Sequence, residues 1–180
     1  MPRTVPVMAT EVPGNYLTGA LWNANVKSLG DFTTNKPVFS AYATTAQSIP
    51  TGAFTPVNLD TEVFDFDAGH NPAVNPSRYV CQVAGLYLLT GEVVFPTGGT
   101  GVRGAMFALN GGTTTGIIGS EQLTAPNATF ATTVAPTATY ARLAVGDYVS
   151  ICGYQNTGSA LSTTTVGAAM STFNVEWISA

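Results

Sequence analysis

The sequence predicts an all-β sandwich, jelly roll or barrel behind a short N-terminal arm and helix. Three observations carry that prediction. Gly (19) and Pro (11) are plentiful, and both punctuate turns. Thr is the commonest polar residue, and with Val it suits pleated strands. From residue 37 onward, short apolar or alternating runs follow one another with no helical period between them. The 180 residues suffice for one well-buried domain and a small extra segment. The boundaries read as 1–36 for the arm and helix and 37–180 for the β domain.

Taken in order, residues 1–13 hold Pro2, Pro6 and Pro13 and read as an extended arm. Leu17, Leu21, Trp22, Val26 and Leu29 then recur at spacings that suit one face of a short helix. Asn15 or Thr18 is placed to cap it and Gly30 to close it. A helix this short is marginal alone and needs a partner surface, for which Trp22 is the natural anchor. About eight to ten antiparallel strands are predicted, at 38–42, 62–67, 78–83, 85–95, 104–110, 114–118, 128–134, 139–143, 147–154 and 171–178. Within 62–67, alternation puts Glu62, Phe64 and Phe66 on one face and Val63, Asp65 and Asp67 on the other. The runs 86–89 and 93–95 are apolar on both faces, which predicts a subunit interface. Residues 96–101, 111–116 and 155–165, rich in Gly, Thr and Ser, read as loops at the distal end.

Charge is scarce. Asp, Glu, Lys and Arg make up 9% of the chain, against about 25% in a typical soluble domain. Lys27 and Lys36 are the only lysines. Charge is depleted at interface cores, so much of the surface is expected to be covered by copies of the chain or by a larger assembly. Residues 1–36 carry a net +1 and the remainder a net −5, within a total of −4. Three scattered arginines on an acidic body exclude a nucleic-acid binder. No run of 18 apolar residues is present to form a membrane-spanning helix, so no membrane insertion is expected. Residues 1–10 lack the basic start and apolar core of a secretory signal. Cys81 and Cys152 both sit in apolar strand-like runs and are expected as buried, reduced thiols, with a disulfide left open.

Five pieces in order resemble the complement-1q-like domain within the tumour-necrosis-factor-like jelly rolls. They are Val38-Phe39-Ser40-Ala41-Tyr42; Arg78-Tyr79-Val80-Cys81-Gln82-Val83-Ala84-Gly85-Leu86-Tyr87; Ala108-Leu109-Asn110-Gly111; Leu143-Ala144-Val145-Gly146-Asp147-Tyr148-Val149; and Ser171-Thr172-Phe173-Asn174-Val175-Glu176-Trp177-Ile178. The resemblance covers residues 37–180 and implies a jelly roll and a homotrimer. Val175-Glu176 departs from it, where the family tends to have Gly and an apolar residue, and no collagen-like stalk is present. In that family an aromatic near the Gly-x-Tyr strand faces the threefold axis. Tyr87 is thereby the leading interface candidate, with Phe39, Phe95 and Trp177 beside it, although the core competes for all four. The segment Leu17-Thr18-Gly19-Ala20-Leu21-Trp22-Asn23-Ala24-Asn25-Val26 resembles the opening of small virion proteins of tailed bacteriophages. That resemblance implies docking to other virion proteins through residues 1–36, with Leu17, Leu21, Trp22 and Val26 as contacts. It also implies assembly in the host cytoplasm.

Catalytic chemistry finds no constellation. His70 is the only histidine and lies in a loop, where solvation is expected. No Ser sits in a Gly-x-Ser-x-Gly turn, and no Cys-x-x-Cys or His-x-x-x-His pair exists. Gly98-Gly99-Thr100-Gly101 lacks the Lys-Ser/Thr of a phosphate loop and reads as a hairpin tip. No cofactor is expected. Calcium is the one metal to consider, because some complement-1q-like trimers bind it and Asp60, Glu62, Asp65 and Asp67 cluster. Alternation leaves Asp65 and Asp67 as the candidate ligands. The expected function is a non-enzymatic trimeric structural or adhesion protein of a phage virion: a minor tail or fibre protein that meets a host-surface glycan or protein. A head-fibre or decoration protein is the alternative, and a secreted complement-1q-like ligand or lectin a third reading.

Overall fold

The computed structural model describes residues 4–10, 12, 14, 16–165 and 169–180. Asn15, one of the two expected helix caps, lies outside them. Thr18 is a cap: its hydroxyl accepts the Leu21 amide at 3.2 Å. Helix α1 (Gly19–Trp22) passes through a π-helical turn (Asn23–Lys27) into α2 (Ser28–Thr34). The helix does not close at Gly30. Thr33 and Thr34 donate their hydroxyls back to the carbonyls of Leu29, Gly30 and Asp31, and Lys27 pairs with Asp31 four residues on. The extra turn seats Phe32 edge-on against Trp177, ring centroids 5.0 Å apart. Phe32 is therefore the anchor, while Trp22 stays 49% exposed.

Thirteen strands follow among the described residues, nine of them three residues or longer. The first half comprises β1 (Val38–Tyr42), β2 (Ser48–Ile49), β3 (Thr55–Pro56), β4 (Thr61–Asp65), β5 (Tyr79–Val80) and β6 (Gly85–Phe95). The second comprises β7 (Arg103–Leu109), β8 (Ile117–Thr124), β9 (Thr132–Val134), β10 (Thr139–Leu143), β11 (Tyr148–Gln155), β12 (Leu161–Ser162) and β13 (Thr172–Ser179). One sheet has the order β10-β6-β13-β1-β4, with β9 also paired to β6. The other has the order β3-β11-β7-β8, with β5 also paired to β11. Pairing between strands is antiparallel in both. The two sheets face each other around one core, and the rings of Phe107 and Phe173 stack between them at 5.7 Å.

The four aromatics expected at a threefold axis belong to this core. Phe39, Tyr87 and Phe95 are 0% exposed and Trp177 is 8% exposed within a single chain. Parity explains the correction. On β6, Tyr87 and Leu89 point inward, and their neighbours Leu86 and Leu88 are left half-buried on the outer face. The two-sided burial of 93–95 also has an intrachain cause. Val94 accepts the Thr164 amide at 2.9 Å and donates its own amide to the Ser171 hydroxyl at 3.0 Å, so later chain covers the outer side. On the second sheet, Met106, Ala108 and Cys152 form a separate cluster packed by Phe54.

Strand register decides which loops share an end. Tyr87 pairs with Trp177 and Gly85 with Leu143, so β6 starts at the helix end. Loops 81–84, 110–116 and 144–147 gather there. Phe95 pairs with Thr132, and Arg103 pairs with Thr124 and Gln155. Loops 96–102, 125–131 and 156–160 thus lie at the opposite end. Two of the three expected distal loops are there; 111–116 is not.

Candidate functional site

The motif residues converge at the helix end, and what they build is a staple. Asp147 accepts the Asn110 side-chain amide at 2.9 Å and the Ala144 backbone amide at 2.8 Å. Asn110 in turn accepts the Tyr148 amide at 2.9 Å. The Asn-Gly turn and the Gly-Asp turn, far apart in sequence, are one hydrogen-bonded unit. Asn110 adopts φ 51°, in the left-handed region that Asn tolerates. The Asn110 bond, and after it the Ala144 bond, holds the Asp147 carboxyl below the usual carboxylate range. Gly85 is required for packing: a Cβ there would collide with Trp177 and with the Ser179 carbonyl.

The acidic cluster is arranged differently from the expected alternation. Ala41 pairs with Glu62 and Ser40 with Phe64, leaving Val63 as a bulge. One extra residue shifts the parity, so Glu62 and Asp65 converge instead of diverging. Both meet His70. Glu62 Oε1 lies 2.8 Å from His70 Nδ1, and Asp65 Oδ2 accepts the His70 amide at 2.8 Å. The His70 side chain is 0% exposed, not solvated; its Nε2 lies 2.9 Å from the Pro76 carbonyl, and its ring packs 5.0 Å from Phe39. The second Asp65 oxygen accepts the Asp67 amide at 3.3 Å. Asp65, the first calcium candidate, is thereby engaged in fastening the 66–78 strap, with Asp67 in the same turn. Among the described residues no group of three His, Cys, Asp or Glu side chains is placed to hold a metal. A cleft of about 240 Å³ beside the strap is lined by His70, Asn71, Arg78 and Gln82, among others. Neither nitrogen of His70 meets a hydroxyl or thiol. Cys81 and Cys152 are free and buried. Burial raises both thiols, Cys152 to about 12, so they are protonated at neutral pH.

Among the described residues, two groups of apolar side chains stand open in the single chain. On the helical segment Leu17, Trp22 and Val26 are exposed and Leu21 is half-buried. On the outer face of the β10-β6-β13-β1-β4 sheet, Leu86, Leu88 and Tyr42 are half-buried, and Tyr140 and Phe64 are exposed. Between them runs a polar ladder that is already paired: Ser40 donates to Asn174 at 2.7 Å, and Asn174 donates to Thr90 at 3.3 Å. The two-sided apolar run 86–89 pointed to this face in the sequence, but Tyr42, Phe64 and Tyr140 were not read as part of it. The signal was available in the residues one position away from each inward aromatic.

No family model matches the chain, and no curated protein matches it in sequence. Solved structures do match in fold. Murine APRIL at pH 5.0 aligns with TM-score 0.57 at 14% identity, over 79% of this chain and 98% of that one. Murine APRIL at pH 8.0 gives 0.57 and at pH 8.5 gives 0.56, each at 15% identity and with the same coverage. At such identity the likeness speaks for the fold, and it agrees with the strand order and the two-sheet core: the chain has a jelly-roll fold like theirs.

Proposed function

We propose that the chain is a non-enzymatic display module that associates as a homotrimer through the outer face of the β10-β6-β13-β1-β4 sheet. That face is the observation that carries the reading. It offers Leu86, Leu88, Tyr42, Tyr140 and Phe64 around a polar ladder whose hydrogen bonds are satisfied within the chain. Glu92, Arg142 and Glu176 share the face, and Glu176 is already paired with Lys36. Tumour-necrosis-factor-like proteins are homotrimers, which is consistent with self-association here. Leu88→Glu would place a charge on the outer face and leave the core untouched. The expected result is a folded monomer with wild-type circular dichroism. A Leu88→Glu chain that keeps the wild-type mass would contradict the assignment of the face.

The module is attached to a tailed-phage particle, as a minor tail or fibre protein, through Leu17, Leu21, Trp22 and Val26. Support comes from the resemblance of residues 17–26 to virion proteins and from the exposure of three of these four side chains. Trp22→Glu is expected to trimerise normally and to be missing from purified particles. A Trp22→Glu chain incorporated at the wild-type level would contradict attachment through this segment. The jelly-roll fold equally favours a secreted ligand or lectin. On that reading Trp22→Glu is silent and the chain is recovered free, outside any particle.

A further inference from the structure

The loops at the end opposite the helix share a property that neither the fold nor the association face uses. Residues 43–54, 96–102, 125–131 and 155–162 contain no Asp, Glu, Lys or Arg. Arg103 and Asp60, which border these loops, are occupied. Arg103 is 1% exposed and donates to the carbonyls of Thr100 and Val102 at 3.0 and 3.2 Å. Asp60 accepts the amide and hydroxyl of Thr44 at 2.7 and 2.9 Å.

These loops are tied to one another. Gly98 donates its amide to the Asn127 carbonyl at 3.0 Å, and Gly52 donates to the Gln155 carbonyl at 2.7 Å. Val102 donates to the Asn156 side chain at 2.6 Å. Buried Gln155 donates to the carbonyls of Ile49 and Ser159 at 2.9 and 2.8 Å. From this framework Phe130 stands out, 70% exposed, and it is the one exposed large apolar side chain among the described residues of these loops. Its backbone is fixed: Asn127 Oδ1 accepts the amides of Thr129 and Phe130 at 2.8 and 3.0 Å.

We propose that this end is a contact surface for an uncharged glycan, with the Phe130 ring stacking on the apolar face of a sugar and neighbouring hydroxyls and amides bonding its hydroxyls. A charged ligand would need an accessible opposite charge, and these loops hold none. A protein partner would need a contiguous apolar core of contact, whereas Phe130 is a single ring in a neutral polar field. A neutral sugar needs an aromatic platform and uncharged donors and acceptors, and a tied surface lowers the ordering cost of binding. The proposal rests on the display reading, because three copies facing outward turn weak single contacts into avidity.

The test uses the full chain against immobilised neutral hexose and N-acetylhexosamine oligosaccharides, with sialylated and sulfated glycans as the second arm. Binding to a neutral glycan is expected, nearly unchanged between low and high salt. Phe130→Ala is expected to weaken it roughly tenfold and Phe130→Trp to preserve it. Circular dichroism and sedimentation mass of both variants should match wild type. Binding confined to acidic glycans, steep salt dependence, absence of neutral-glycan binding or a Phe130→Ala chain that binds normally would each overturn the proposal. So would a change of mass in Phe130→Ala, which would assign the ring to self-association. A trimer that ignores neutral glycans removes this inference alone. A wild-type monomer removes the trimeric reading, whatever it binds.

Discussion

At the scale of single residues, the staple between Asn110 and Asp147 sets part of the protein's response to acid. The Asn110 and Ala144 bonds lower the folded-state value of Asp147. A lowered carboxylate contributes stability above its unfolded value, near 3.9, and that contribution is lost as pH falls through the folded value. Thermal melting of Asp147→Ala across the acid range should therefore show a flatter loss of stability than wild type. An unchanged acid limb would show that the two bonds are not maintained in solution. His70 makes a second prediction. Its ring bridges Glu62 and Pro76 in a site with no access to solvent. His70→Ala should cost about 2–3 kcal/mol, from a cavity and unpaired polar groups, and hydrogen exchange should rise first across 66–78. The sequence reading treated this histidine as solvated because a loop position says nothing of what folds over it. The motif residues were legible as a pattern, and the structure shows why they stand together: they fix turns and close packing.

Among elements, legibility followed the strength of local pattern. Strands β1, β6 and β10 have the limits their apolar runs predict. Strand β8 begins at Ile117 and runs on to Thr124 through Glu121 and Gln122, polar residues on a sheet edge that an apolar count passes over. The predicted strand at 78–83 shortens to Tyr79–Val80 because Cys81 pairs its backbone with Gly146 and Asp147 in a loop. The bulge at Val63 was invisible: no Gly or Pro marks it, yet it reverses the facing of the acids after it. The helix was legible as a helix but not in its anchor, since Thr33 and Thr34 extend it past Gly30 and bring Phe32 to the core. Phe32→Ala should lower stability by about 3–5 kcal/mol, measured by denaturant unfolding, whereas Trp22→Ala should stay within about 0.5 kcal/mol. Equal costs for the two would contradict the anchoring by Phe32.

For the whole molecule, the jelly roll separates three surfaces in space. The helix and the stapled turns occupy one end, neutral tied loops occupy the other, and an apolar sheet face lies along the flank. Scarce charge made an assembly expected from composition alone, but the sequence could not say which aromatics faced a neighbour. Inward and outward residues alternate along the same strands, and only the register separates them. The core takes Phe39, Tyr87, Phe95 and Trp177, and the proposed association face is left with Leu86, Leu88, Tyr42, Tyr140 and Phe64. The most direct test is the sedimentation-equilibrium mass of the full chain across a dilution series. A mass three times the 18.6 kDa of one chain, held on dilution, is the predicted result. A mass of one chain at every concentration would contradict the trimer and the face assigned to it.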